Sequence, residues 1–111
     1  MPDDTPVLDT LAALTLVSIE NCNLEPRELM VARIAALAAV NAPAASYLLN
    51  AGAAIDTGIT LEDTQGILVA VAPIVGTPRV VSAAANITKA LGFAIAVAEA
   101  ELEAELDAAD D

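Results

Sequence analysis

"FAIAVAEAELEAELDAADD", Phe93 to Asp111, sets acidic residues against Ala or Leu in near alternation, a period-two pattern that matches a half-buried strand. Its composition argues for a helix. Ala, Glu and Leu are strong helix formers and are depleted in strands. Ile95, Ala98, Leu102, Leu106 and Ala109 recur at three-to-four spacing, which lines one side of a helix. The segment is therefore expected to be an acidic C-terminal helix starting at about residue 93. Seven acids lie between Glu99 and Asp111 with no base among them. Placed all round a helix, they read as a solvated surface and not as a metal site. Those nearest the C-terminal end oppose the helix dipole, so the last turn is expected to fray.

With that segment helical, no part of the chain reads as a strand, and the expected class is all-α. Thr5-Pro6 has the form of an N-cap followed by proline at the first helical position, opening a helix to about Asn21 with Leu8, Leu11, Leu14 and Ile19 on one side. "NLEPRELMVARIAALAAV" opens a second helix, capped near Asn23 to Glu25, with Glu25 and Glu28 where the dipole favours acids. Asn41-Ala42-Pro43 breaks it and starts a third, to about Ala53, with Gly52 and Gly58 marking the next turn. Thr60 followed by Asp63 resembles a capping box with Asp in place of Glu, and Pro73 is expected to bend the fourth helix. Thr77-Pro78 starts a fifth helix to Leu91, and Gly92 is expected to separate it from the last. No tandem repeat or linker interrupts the chain, so residues 1–111 read as one domain.

The chain has 111 residues, 57% of them hydrophobic, with one Tyr, one Phe and no Trp. Such a core is filled by Ala, Val, Leu and Ile, which bury little area each at roughly 25 cal/mol per Å². Packing a second helix face against another subunit is the usual remedy, so a homo-oligomer is expected. Sixteen acids against four bases give a formal charge of −12. Nucleic acid and anionic membrane surfaces would repel the chain. The longest uncharged stretch, Ile34 to Ile55, has the length of a membrane span, about 20 residues, but Asn41, Pro43, Ser46 and Asn50 interrupt it, so no membrane partner is expected. The start, "MPDDTP", is acidic where a secretory signal would be basic. The single Cys22 suits a reducing compartment, and a cytoplasmic location is expected.

Residues Glu28 to Gly92 resemble the carboxymuconolactone decarboxylase family, which includes the AhpD alkylhydroperoxidases. The resemblance rests on the order of an "ELxxxxxAAL" helix at Glu28, a small-residue helix ending in "NAGAA" at Asn50, and "GITLE" at Gly58 leading into "LVAVAPIVGTPRVV". It implies an AhpD-like orthogonal bundle of about six helices, assembled as a trimer or hexamer. The peroxidase branch carries Cys-x-x-Cys-x-x-x-His where this chain has Pro43, Ser46 and Asn50. A dithiol peroxidase needs an attacking thiolate, a resolving thiol and a base that activates the first. With one Cys and no His, neither that chemistry nor the decarboxylase branch's histidine proton carrier is available. No cofactor and no metal ligand set is expected.

Other chemistry has candidates. Ser46 and Asn50 are four apart on one helix face, and Glu28 and Arg33 sit on the preceding helix near the position where the family places a catalytic acid. Arg33, in an apolar helix, needs a carboxylate, a carbonyl or a ligand anion as partner. With Arg33 as anion anchor, Glu28 as acid or base, Ser46 and Asn50 as donors and Tyr47 lining the site, a small organic acid is a possible ligand or substrate. The plainer reading pairs Arg33 with Glu28 or with an acid of a neighbouring subunit, and leaves Ser46, Tyr47 and Asn50 to the helix junction and the core. Arg79, at a helix start where a cation opposes the dipole, is expected to pair across a subunit interface. The functional expectation is a non-redox, oligomeric helical scaffold or small-ligand binder without thiol peroxidase activity. The alternative is a lyase or isomerase acting on a small organic acid.

Overall fold

The computed structural model describes residues 4–109. They form five helices and, among the described residues, no strand: α1 (Pro6–Asn21), α2 (Pro26–Ala39), α3 (Ala44–Asp56), α4 (Leu61–Val75) and α5 (Thr77–Ala109). Asp110 and Asp111 of the acidic run, and Met1 to Asp3, lie outside the described residues. The all-α expectation holds, with five helices in place of about six.

The difference lies at Gly92, where α5 continues unbroken for 33 residues. Glycine inside a helix costs roughly 1 kcal/mol relative to alanine, and the Ala- and Leu-rich sequence on both sides offsets that. Gly52 likewise lies inside α3 and does not end it. Turns fall instead where the backbone reverses hand. Gly58, at φ 84°, closes α3, with its N–H donating to Ile55 O and the Ile59 N–H to Ala54 O, which is the Schellman arrangement. Asn41, at φ 56°, closes α2 in the same way, with Asn41 N–H donating to Ala38 O and Ala42 N–H to Leu37 O.

The Thr60 capping box is present. Thr60 Oγ accepts from the Asp63 N–H at 3.0 Å, and Asp63 Oδ2 accepts from the Thr60 N–H at 2.9 Å. Pro73 lies within α4 two residues before its end at Val75, where a lost backbone donor disturbs few bonds. A single residue, Gly76 at φ 92°, links α4 to α5.

The core is small. Met30, Ile34 and Ala38, four apart along α2, make its spine, and Tyr47, Ile59, Ile67, Leu68, Ala83 and Ala90 close around it. Helix α5 packs on α2, α3 and α4 and also clamps the α2–α3 junction. Arg79 donates to Ala39 O, Ser82 Oγ to Asn41 Oδ1 at 2.7 Å, and Asn86 Nδ2 to Ala42 O at 3.3 Å. Arg79 thus has an intrachain partner, the C-terminal end of α2, where a cation complements the helix dipole. The subunit-interface pairing expected for it is not needed.

Two parts of the chain take no share in this core. Every residue of α1 is exposed, including Val7, Leu8, Leu11, Leu14, Leu16, Val17 and Ile19. The distal half of α5 projects beyond the bundle with Phe93, Ile95, Leu102 and Leu106 exposed. The radius of gyration is 16.4 Å, against about 13 Å for a compact domain of this length. The accessible surface is 7818 Å², against roughly 5,700 Å² for a folded monomer of this mass. Helix α5 is also long and apolar enough to cross a bilayer by length and composition, with a mean hydropathy of 1.6 over its most apolar window.

Candidate functional site

Two hollows flank α3. The first, of about 200 Å³, lies between α3, α4 and α5. Ile34 comes to it from α2, Tyr47 and Asn50 from α3, Ile59 from the turn after α3, Thr64 from α4 and Ile87 from α5. The one-turn spacing of Tyr47, Asn50, Ala51 and Ala54 puts them on one side of α3, and the Schellman turn at Gly58 swings Ile59 back to close the floor. Among the described residues no charged side chain lines this hollow.

Its polar groups are mostly engaged. Asn50 Nδ2 donates to Ser46 O at 2.8 Å, Thr64 Oγ donates to Thr60 O at 3.1 Å, and Thr60 Oγ serves the capping box. Tyr47 is the exception. The residue is 6% exposed, and its hydroxyl is buried with no hydrogen-bond partner among the described residues. Burial pushes the phenol above its usual range, so it stays protonated at neutral pH. An unpaired buried hydroxyl costs about 1–3 kcal/mol.

The second hollow is an open groove between α1 and α2, with Leu14, Thr15 and Ser18 on one side, Arg33 and Leu37 on the other, and Asn50 at its edge. Arg33 Nη2 donates to Ser18 Oγ at 3.1 Å and to Thr15 O at 3.4 Å. Among the described residues its guanidinium has no carboxylate within ion-pairing distance; the one ion pair there joins Arg27 and Asp63. Arg33 is half-buried, and within the chain both of its side-chain hydrogen bonds reach α1.

The four candidates for chemistry are not gathered in one place. Arg33 and Asn50 share the open groove, while Tyr47 and Asn50 share the apolar hollow. Ser46 contributes its carbonyl to Asn50 and lines neither hollow, and Glu28 is exposed at the start of α2. Cys22, just past α1, accepts the Leu24 N–H on its sulfur at 3.4 Å. The acids of α5 form no metal-binding group among the described residues.

The sequence offers Tyr47 either as lining a ligand site or as core and does not show its stranded hydroxyl, because a single buried phenol leaves no pattern in a sequence. The Arg27–Asp63 pair was missed for a similar reason: it joins the first turns of two helices that are not neighbours in the chain. Compared with known proteins, the chain matches no family model, no curated protein and no solved structure.

Proposed function

We propose that the protein is a self-assembling helical scaffold of the carboxymuconolactone decarboxylase-like class, without thiol peroxidase activity, which works in the cytoplasm as a homo-oligomer. The observation that carries this reading is α1. Its apolar residues occupy most of its circumference, and none of its residues is buried. A helix hydrophobic nearly all round is a buried helix, so α1 needs a covering that its own chain does not supply.

The excess surface has the right size for a second copy. It amounts to roughly 2,000 Å² per chain relative to a compact monomer, within the range that obligate homo-oligomers bury. A bilayer fits less well. With 16 residues, α1 is shorter than the about 20 a span needs. The longer α5 is tied along its first half to the bundle by Arg79, Ser82 and Asn86. The class assignment rests on the motif order between Glu28 and Gly92, and the lack of peroxidase chemistry on the single Cys and the absence of His.

The test is a double variant, Leu8→Glu with Leu16→Glu. Both side chains are exposed in the single chain, so helix content by circular dichroism should be kept while the assembly dissociates to monomer. An assembly of unchanged mass would remove α1 from the interface and with it the basis of this reading. Peroxide turnover with a dithiol reductant, lost in Cys22→Ala, would contradict the non-redox assignment.

A further inference from the structure

Helix α1 and the projecting half of α5 each carry a narrow apolar stripe, and the two stripes match. On α1, Leu8, Ala12, Leu16 and Ile19 share a side that does not line the α1–α2 groove, and all four are exposed. On α5 the stripe is Ile95, Ala98, Leu102 and Leu106, exposed as well. The steps along α1 are four, four and three residues, and along α5, taken from its C-terminal end, they are again four, four and three. Each stripe is therefore about 16 Å long. Laid antiparallel, Leu8 meets Leu106, Ala12 meets Leu102, Leu16 meets Ala98 and Ile19 meets Ile95, so that each alanine faces a leucine. Large opposite small is how facing helices interdigitate. A parallel alignment puts the steps out of phase and brings alanine beside alanine, which leaves a gap.

Charge selects the partner. Residues 93–109 of α5 carry five acids and no base. At about 3.6 residues per turn, Glu99 flanks the stripe on one side, and Glu101 and Glu105 flank it on the other. Two such helices packed about 8–10 Å apart would set their acids against each other within a Debye length. Helix α1 carries only Asp9 and Glu20, with no charge from Thr10 to Ile19. Pairing α1 with α1 would leave the α5 stripe bare, and among the described residues α1 does not pack on α5 of its own chain. We infer that α1 of one copy lies antiparallel along residues 93–109 of α5 of another, with Leu16 against Ala98; this rests on the assembly proposed above and names its contact. The antiparallel sense also sets the N-terminus of α1 beside the acid-rich end of α5, where the helix dipole favours negative charge. A head-to-tail contact of this kind generates a closed ring when the rotation between copies allows.

The experiment uses the full chain with Cys22→Ser as background, since Cys22 is the one native cysteine. Leu16→Cys, Ala12→Cys and Ala98→Cys are each added singly to that background. The variants are mixed in pairs, exchanged by dilution and reconcentration, oxidised with glutathione disulfide, and their covalent dimers are identified by mass spectrometry. Sedimentation equilibrium is run on the unoxidised samples. Leu16→Cys with Ala98→Cys should give the mixed disulfide about tenfold faster than Ala12→Cys with Ala98→Cys, whose backbones stand a helical turn out of register and beyond bridging distance. Ala98→Cys alone should give little homodimer. Ile19→Cys with Ile95→Cys, the next pair in register, should behave as the first does, which guards against an interface weakened by Leu16→Cys itself. In an assembly of full mass, a dominant Ala98→Cys homodimer, a faster Ala12→Cys pair or no mixed disulfide from either in-register pair overturns the inference and leaves the assembly reading standing. A parent that sediments as the 11.2 kDa chain removes both.

Discussion

The Arg27 guanidinium, in the first turn of α2, lies 2.8 Å from the Asp63 carboxylate in the first turn of α4. The same carboxylate caps α4 through the Thr60 N–H. One side chain therefore both starts a helix and ties it to another. The backbone hydrogen bond from Thr60, and then the bond from Arg27, hold the Asp63 carboxyl below the usual carboxylate range.

A folded pKa below the unfolded value means that ionised Asp63 favours the fold. Its contribution is fully present above the ordinary carboxylate value of about 3.9 and is lost as pH falls through the depressed folded value. Asp63→Asn should therefore flatten the acid limb of the Tm-against-pH curve below about pH 4. Thr60→Ala, which removes the cap oxygen, should cost about 1 kcal/mol, lowering Tm by roughly 4–8 °C in a chain of this size. Thermal melts across pH 2 to 7 on the order of these shifts check both.

Two glycines should respond in opposite senses. Gly76 holds φ 92° between α4 and α5, a conformation L-residues avoid, so Gly76→Ala should destabilise by about 1–3 kcal/mol. Gly92 lies inside α5 with nothing within 4 Å of where a Cβ would stand, so Gly92→Ala should stabilise by about 0.5–1 kcal/mol. Urea unfolding of the two variants beside the parent measures the contrast. A loss of stability in Gly92→Ala would mean that the helix does not run through that point.

These glycines also show how far the sequence was legible. Helix starts could be read because their chemistry is local: Thr60 with Asp63 forms its box, and Thr5-Pro6 sits at the start of α1 with proline at the first position, although the Thr5 side chain donates to Asp9 Oδ1 and makes no cap bond. Helix ends were harder. Gly58 and Asn41 end helices while Gly52 and Gly92 do not, and the choice depends on which backbone must reverse hand, a matter of tertiary geometry. The candidate site followed the same division. Ser46 and Asn50 do share one turn of α3, with Asn50 bonded to the Ser46 carbonyl. What each faces is decided by segments distant in sequence: Thr15 and Ser18 of α1 for Arg33, and Ile59, Thr64 and Ile87 for Tyr47.

Arg33 gives the third prediction. Its two bonds to α1 are the polar links between that helix and α2. Arg33→Met keeps much of the stem's packing and removes the donor, so α1 amides should exchange faster with solvent while those around Met30, Ile34 and Ala38 stay protected. Unchanged protection in α1 would assign its order to other contacts. A parallel titration with benzoate bears on the organic-acid alternative: binding in the parent and not in Arg33→Met would support Arg33 as an anion anchor.

Salt supplies the fourth. Five acids between Glu99 and Asp107 are exposed on the projecting half of α5, with no base among them. Bringing copies together concentrates like charge, and salt screens exposed charges over a Debye length of about 10 Å at 0.1 M. Assembly should therefore tighten as sodium chloride rises from about 0.05 to 0.5 M, as read by the concentration at which the complex dissociates. Weakening over that range would show that ion pairs between subunits hold it together.

In the proposed assembly the surface left bare on α1 and the far half of α5 is covered by further copies of the same chain. Sedimentation equilibrium of the untagged protein at micromolar concentration, without detergent, tests it most directly. The expected mass is an integer multiple, three- or sixfold, of the 11.2 kDa chain. A species of 11.2 kDa with the helices intact, or one that leaves solution only on adding lipid vesicles, would contradict it.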